Sequence, residues 1–410
     1  MSNTQKKNVP ELRFPEFEGE WEEKKLGEVA TFAKGKLGAK KDVSQTGVPI
    51  ILYGELYTKY GAIVSKIFSK TDIPENKLKM ASKNDVLIPS SGETAIDIAT
   101  ASCIYLNKGV AVGGDINILT PQKQDGRFIS LSINGINKNE LSKYAQGKTV
   151  VHLYNNDIKN LKIAFPSEFE EQVRIGDLFS KLDRQIELEE QKLELLQQQK
   201  KGYMQKIFSQ ELRFKDENGN DYPEWEEKKL GEIIILQNGF AFESSIFTKK
   251  GIPIIRITDI NNSLVSAGTV YYPKNINIDD RFKIKKNDIL MAMSGATAGK
   301  VGKYISDNPS LLNQRIAKFE MKYGTNSQFI FAYLNTKIFQ QELTKLLVAG
   351  AQPNISSRDI EKISLTLPFN IEQQKIGALH SKMDYLIEIQ QFKIKNLNLR
   401  KRWLLQKLFI

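Results

Sequence analysis

The stretch WEEKKLGE occupies residues 21–28 and returns, letter for letter, at 225–232. Outward from it, ELRF at 11–14 recurs at 211–214, and GVPII at 47–51 is matched by GIPII at 251–255. KNDVLIPSSGET (83–94) pairs with KNDILMAMSGAT (286–297), and DIKNLKIAFP (157–166) with DIEKISLTLP (359–368). EEQVRIGDLFSKLD (170–183) pairs with EQQKIGALHSKMD (372–384), and QKIF (205–208) with QKLF (406–409). The offset stays between 200 and 204, so the copies align over nearly all of the 410 residues. A period this long is far outside that of solenoids and propellers. It predicts two similar domains, each with its own core, related by pseudo-two-fold symmetry within one chain.

Each copy has two parts. The first carries short β-type runs, VPIILY (48–53), NDVLIP (84–89) and INIL (116–119), then IPIIRIT (252–258) and NDILMAM (287–293), punctuated by Gly, Asn, Asp and Pro. Residues 128–144 and 326–348 read as helical, which makes this part mixed α/β. The second part has no proline beyond Pro166 for about 40 residues, and apolar side chains recur in steps of three and four. They fall at Ile175, Leu178, Leu182, Ile186, Leu193, Leu196, Tyr203 and Ile207, and again at Ile376, Leu379, Met383, Leu386, Ile394, Leu397, Leu404 and Leu408. Such spacing predicts a long coiled-coil helix, about 60 Å at 1.5 Å per residue. Residues 166–210 hold nine acidic and seven basic side chains and 368–410 hold three and eight, so the two helices suit each other as partners.

The predicted fold class is therefore α+β. Two similar mixed α/β domains, 16–166 and 210–368, are separated by two long helices, 167–209 and 369–410, which form an antiparallel coiled coil. The alternative is that each helix folds back on its own domain. Residues 1–15 read as a short polar tail without the apolar stretch of a secretory signal.

Composition narrows the function. The apolar fraction of 40% and charged fraction of 26% are those of a globular protein, and no run of 18 apolar residues predicts a membrane span. Cys103 is the single cysteine and His152 and His380 are the two histidines, which excludes a disulfide framework and leaves poor material for a metal site. A reducing cytoplasm fits this composition best. The net charge of +11 suggests an anionic partner.

Catalytic motifs are missing. There is no Pro-Pro with which an adenine methyltransferase grips a flipped base. GATAGKV (295–301) is one residue short of a Walker A loop and has Val301 where a Mg²⁺-binding hydroxyl is required. Glu22-Glu23-Lys24, half of a restriction-type nuclease motif, recurs at 226–228 as a repeated charged face. The two histidines occupy non-equivalent positions and read as ordinary partly buried or surface residues.

A domain opening at WEEKKLGEV, a glycine-rich SSGET or SGATAGK, a closing D-I-x-x-L-x-I-x-x-P, then E-Q-x-x-I-G and a long helix ending QKIF, all duplicated, resembles the specificity subunit of type I restriction-modification enzymes. The resemblance covers essentially the whole chain. It implies two target recognition domains, each reading one half of a bipartite, asymmetric double-stranded DNA site, with the helices as the ruler between the halves. It further implies two docked methyltransferase subunits, which carry S-adenosylmethionine and methylate adenine. Two restriction subunits would bring ATP- and Mg²⁺-dependent translocation and cleavage. This chain would bind no cofactor and catalyse nothing. The competing readings are a stand-alone DNA-binding regulator, a protein-interaction scaffold, and a nuclease or fused methyltransferase.

For DNA, Lys and Arg supply affinity through phosphates, and groove-reaching side chains supply specificity. In the first copy the candidates are Lys34, Lys36, Lys40 and Lys41 in a glycine-containing loop, Tyr53, Tyr57, Lys59 and Tyr60 after a strand, and Ser90, Ser91 and Thr94 in the glycine-rich loop. In the second copy they are Arg256, Thr258, Asp259, Asn261 and Asn262, the loop residues Ser294, Thr297 and Lys300, the cluster Asn313, Gln314 and Arg315, and Gln352, Asn354 and Arg358. No metal-binding residues are predicted.

Overall fold

The computed structural model describes residues 8–261, 263–348 and 354–410, and the chain divides into two compact units: 1–190 with 392–410, and 191–391. Four helices frame the two units: α1 (Gly126–Asn134), α2 (Phe169–Phe208), α3 (Ser327–Leu334) and α4 (Asn370–Lys407). No described helix is long and apolar enough to cross a membrane.

The same sheet begins both units. In the first its order is Ala30–Lys34, Ile116–Pro121, Val86–Pro89, Ser102–Ile104, Ile63–Val64; in the second it is Ile234–Asn238, Ile316–Met321, Ile289–Ala292, Val301–Tyr304, Ser263–Val265, Ile260–Asn261. The central strands are buried on both faces, so they read as unbroken apolar runs (VLIP, ILMA) rather than as alternation. The repeated EEKK strand zips antiparallel onto the strand that closes the domain, Glu22 opposite Phe165 and Glu226 opposite Leu367. The opening and closing motifs thus meet, and the long helix starts where they meet.

The E-Q-x-x-I-G motif fastens that helix. In the first unit the buried Glu171 accepts two bonds from Arg13 (2.7 and 2.8 Å), Gln172 accepts the Asp125 N–H at the start of α1, and Ile175 enters the core. In the second unit the same places are filled by Glu372 with Arg213 (2.8 and 3.2 Å) and Trp225 Nε1 (3.0 Å), by Gln373 with Asn326, and by Ile376. Gly176 and Gly377 lie so close to α1 and α3 that a Cβ would stand 2.8 Å from the Arg127 guanidinium or 2.7 Å from Gln328. Residues 8–15, predicted as part of a polar tail, are a correction. Leu12 and Phe14 pack on the core, and Arg13 is the cation that buried Glu171 needs.

Both long helices are continuous, 40 and 38 residues, rich in good helix formers and free of interior proline. In the first unit Asp183 pairs with Lys401 and Glu189 with Lys393, numbers rising on α2 as they fall on α4, so the helices run antiparallel. In the second unit the charges reverse, Lys200 pairing with Asp384. Pairing and docking on a domain occur together rather than as alternatives, since Ile175, Phe179 and Leu182 of α2 also belong to the first unit's core.

The QKIF and QKLF endings close the cores crosswise. Phe409, from the second copy's helix, stands 6.3 Å from Trp21 and 5.1 Å from Phe128 in the first unit. Phe208, from the first copy's helix, stands 6.3 Å from Trp225 and 5.6 Å from Phe329 in the second. Each aromatic cluster therefore needs a residue from the other repeat.

His380 differs from the expected surface or partly buried residue: it is 1% exposed in the second unit. Burial first, then the neighbouring Lys200 and Lys303 and against the pull of Asp384, pushes its pKa down from 6.5 to about 4. Between these values the unfolded chain binds the extra proton, so His380's contribution is fully present above pH 6.5 and is lost as pH falls towards 4. The loss is expected to be about 3 kcal/mol. His380→Phe should flatten this acid limb in denaturant titrations followed against pH.

Candidate nucleic-acid interface

In each unit one sheet edge gathers four backbone segments. In the first, Ser90 N–H donates to Asp115 O (2.9 Å), Leu153 N–H to Ser90 O (3.1 Å), and Gly35 N–H to Ile116 O (2.9 Å). These bonds bring together the glycine-rich loop (90–94), the turn 113–115, the segment 151–156 and the basic loop after Lys34. In the second, Met293 N–H donates to Arg315 O (2.9 Å), Ile355 N–H to Met293 O (2.8 Å), and Gly239 N–H to Ile316 O (3.1 Å). The glycines permit this approach: a Cβ on Gly35 would lie 1.8 Å from Gly113 O, and one on Gly239 2.0 Å from Asn313 O.

On the first edge Lys34, Lys36, Lys40 and Lys41 are exposed, the last two on a short 3₁₀ turn. The Ser91 hydroxyl is 3.1 Å from His152 Nδ1, and the His152 ring stacks on Tyr154. Ser90 lies beneath the surface, 3% exposed, because its backbone serves as the link between neighbouring segments. Thr94 caps the turn Ala95–Ile98 through Asp97. Tyr53, Tyr57, Lys59 and Tyr60 follow the strand Val48–Ile51, in and just beyond a short helix, Tyr53–Thr58. Tyr53 is exposed, and Tyr57 lies beside Gly92 with its hydroxyl pKa raised chiefly by desolvation. Two of these residues serve the fold. Lys59 pairs with buried Glu55, and half-buried Tyr60 accepts the Phe68 N–H, its pKa pushed by burial up to about 12.

On the second edge Arg256 precedes a 3₁₀ turn held by Asp259, which accepts the Arg256 N–H at 2.8 Å. The Arg256 guanidinium reaches Thr269 Oγ1 at 3.3 Å, leaving Thr258 exposed on the turn. Thr297 donates to Ile257 O (3.3 Å), which joins this turn to the glycine loop. Ser294 bridges to Asn354, and Ser357 donates to Asn238 Oδ1 (2.6 Å). Gln314, Arg315, Lys300 and Arg358 are exposed and Asn313 is half-buried. Asn262, Gln352 and the side chain of Asn261 lie outside the described residues.

The structure thus gathers the 256–259, 294–297, 313–315 and 354–358 segments, and in the first unit the loops after Lys34 and around Ser91. It also adds Gly113, Gly114 and Asp115, which sit where the second unit has Asn313, Gln314 and Arg315, and it sets Asn156 opposite Arg358 in the repeat. The 200-residue offset was the signal for the first of these; a Gly-Gly-Asp turn shows no binding chemistry when read alone.

The family described as "Type I restriction modification DNA specificity domain" matches residues 18–198 and again 222–399. The chain belongs to the type I restriction-modification DNA specificity family. This specificity subunit is 29% identical to the type I restriction enzyme MjaVIII specificity subunit of Methanocaldococcus jannaschii, over 94% of this chain and 90% of that one. It is 31% identical to the EcoAI specificity subunit of Escherichia coli over 42% of this chain and 30% of that one. Its fold matches the S subunit of a type I restriction-modification system from M. genitalium with a TM-score of 0.66 at 18% identity, covering 98% and 99% of the two chains. As a specificity subunit it recognises DNA and is not itself catalytic.

Proposed function

We propose that each unit reads one half of a bipartite, asymmetric DNA target, through the edge just described. Lys34, Lys36, Lys40, Lys41 and Lys300 would contact phosphates, and Arg256, Asn313, Gln314, Arg315, Asn354 and Arg358 would face base edges on the second half. The observation that carries this reading is one backbone framework bearing Gly113-Gly114-Asp115 in one unit and Asn313-Gln314-Arg315 in the other. Identical readers would select a palindrome; these two would not. The long helices act as the ruler between the halves. Methyltransferase subunits, docked on the helical region in two copies, supply S-adenosylmethionine chemistry on adenine, and restriction subunits joined through them supply ATP- and Mg²⁺-dependent cleavage. The complex works on cytoplasmic DNA.

Methylome sequencing of cells carrying this chain with matching methyltransferase subunits tests the reading. A split motif with unlike halves is expected; a single continuous motif, or no sequence-dependent methylation, overturns it. Arg315→Ala should relax one position of one half-site, by about 1–3 kcal/mol of discrimination. Lys36→Ala should weaken all sequences alike and lessen the salt dependence. Competition binding of the complex to single-base variants of the motif separates the two effects.

A further inference from the structure

One position on the second edge keeps the backbone of the repeat and reverses its chemistry. Gly35 and Gly239 are equivalent, for the N–H of each donates to the start of the same strand, Ile116 O at 2.9 Å and Ile316 O at 3.1 Å. The next residue is Lys36 in the first unit and Phe240 in the second. A Cβ on Gly114 would lie 3.2 Å from Lys36 O, and the N–H of the matching Gln314 donates to Phe240 O at 2.9 Å. An exposed cation has thus been exchanged for a phenyl ring that is 42% exposed.

That ring is held in place. The Phe240 N–H donates to Leu312 O (2.8 Å), and the residue bridges in parallel to Asn313. Its ring centroid stands 5.1 Å from that of Phe242 and 5.2 Å from that of Phe282. Phe242 packs in turn on buried Tyr272 (4.9 Å) and covers the small core there, whereas Phe240 stands outside that core.

A phenyl ring has no charge, donor or strong acceptor, so it cannot replace Lys36 on a phosphate. Wedging between stacked bases would require drawing it away from Phe242 and Phe282. In the major groove it can meet the one apolar group that the bases present there, the C5 methyl of thymine. Gln314, joined to it through the backbone, is of the type that pairs with adenine, so the two side chains together suit an A·T pair.

We propose that Phe240 reads a thymine of the second unit's half-site through its methyl group, with Phe242 and Phe282 positioning the ring. The first unit, with Lys36 at this place, makes no such contact. The inference rests on the DNA-reading proposal for this edge and adds to it the base and the atom that are read.

The test removes only the methyl. Duplexes bearing the motif, with each thymine replaced in turn by uracil, compete for the complete complex with its methyltransferase subunits. In the half-site that exchange of residues 16–166 leaves unchanged, one uracil should weaken binding about fourfold, the contribution of one buried methyl group. Phe240→Ala and Phe240→Lys, the latter copying the first unit's residue, should abolish this thymine–uracil difference. Discrimination at the other positions and the circular dichroism spectrum should stay as they were. The inference is overturned if that half-site holds no thymine, if no uracil weakens binding, or if the difference survives in both variants. It also falls if 2-aminopurine beside the contacted pair fluoresces more with the unsubstituted chain than with Phe240→Ala, the sign of a wedge. Arg315→Ala tells the two failures apart. If it relaxes a base position while the Phe240 variants change nothing, the edge reads DNA and the methyl contact alone is wrong; if none of the three alters discrimination, both readings fall.

Discussion

Exchange of residues 16–166 for the corresponding segment of another specificity subunit is expected to replace one half of the methylated sequence and leave the other half as it was. Affinity for the original full site should fall towards the non-specific level, a loss of about 10³-fold or more. The effect is large because the whole candidate edge of the first unit, the loops after Lys34 and around Ser91, Asp115 and His152, travels with the segment. The graft must keep an aromatic pocket for Phe409, which packs on Trp21 and Phe128 from outside the exchanged stretch. Sequencing the methylome of cells carrying the chimera reads the outcome. A change in both halves would refute one reader per half-site.

The second large effect concerns the clasp that holds α4. Glu372 is fully buried and accepts bonds from Arg213 and Trp225. Glu372→Ala leaves the Trp225 indole N–H without its acceptor, and leaves a guanidinium only 18% exposed with the Tyr222 and Pro223 carbonyls but no counter-charge; the expected loss is about 3–5 kcal/mol. The cost comes from the stranded partner rather than from the pair's own attraction. Replacing Arg213 and Glu372 together with leucine should therefore recover most of it. Glu22→Ala, which removes an exposed pair with Lys24, should change stability by less than about 0.5 kcal/mol. Denaturant unfolding of the full chain checks all three; equal losses from Glu372→Ala and Glu22→Ala would sink the argument.

Much of this architecture is legible in the order of the residues. The duplication, the mixed α/β domains and the long helices follow from recurring words and from apolar steps of three and four. Periodicity reports which face of a helix is apolar, not what covers it. For that reason the crosswise insertion of Phe208 and Phe409 is not foreseeable from it, although the repeated QKIF and QKLF mark the spot. The packing of Leu12 and Phe14 escapes notice because a polar composition hides two apolar side chains and one needed cation. At the candidate edge, single residues such as Arg256 and Arg315 stand out by chemistry. Their neighbours across the sheet are set by hydrogen bonds between segments far apart in sequence, such as Met293 with Arg315 and Ile355. Local patterns carry no record of those pairings.

The crosswise closure has a consequence for biosynthesis. The second unit draws its core from residues 204–379 alone, whereas the first unit's core includes Leu404, Leu408 and Phe409. A ribosome therefore finishes the material for the later reader before it delivers the stopper for the earlier one. A nascent chain halted near residue 400 would hold one sealed globule and one with its aromatic pocket open, a state that proteases and chaperones detect through exposed apolar surface.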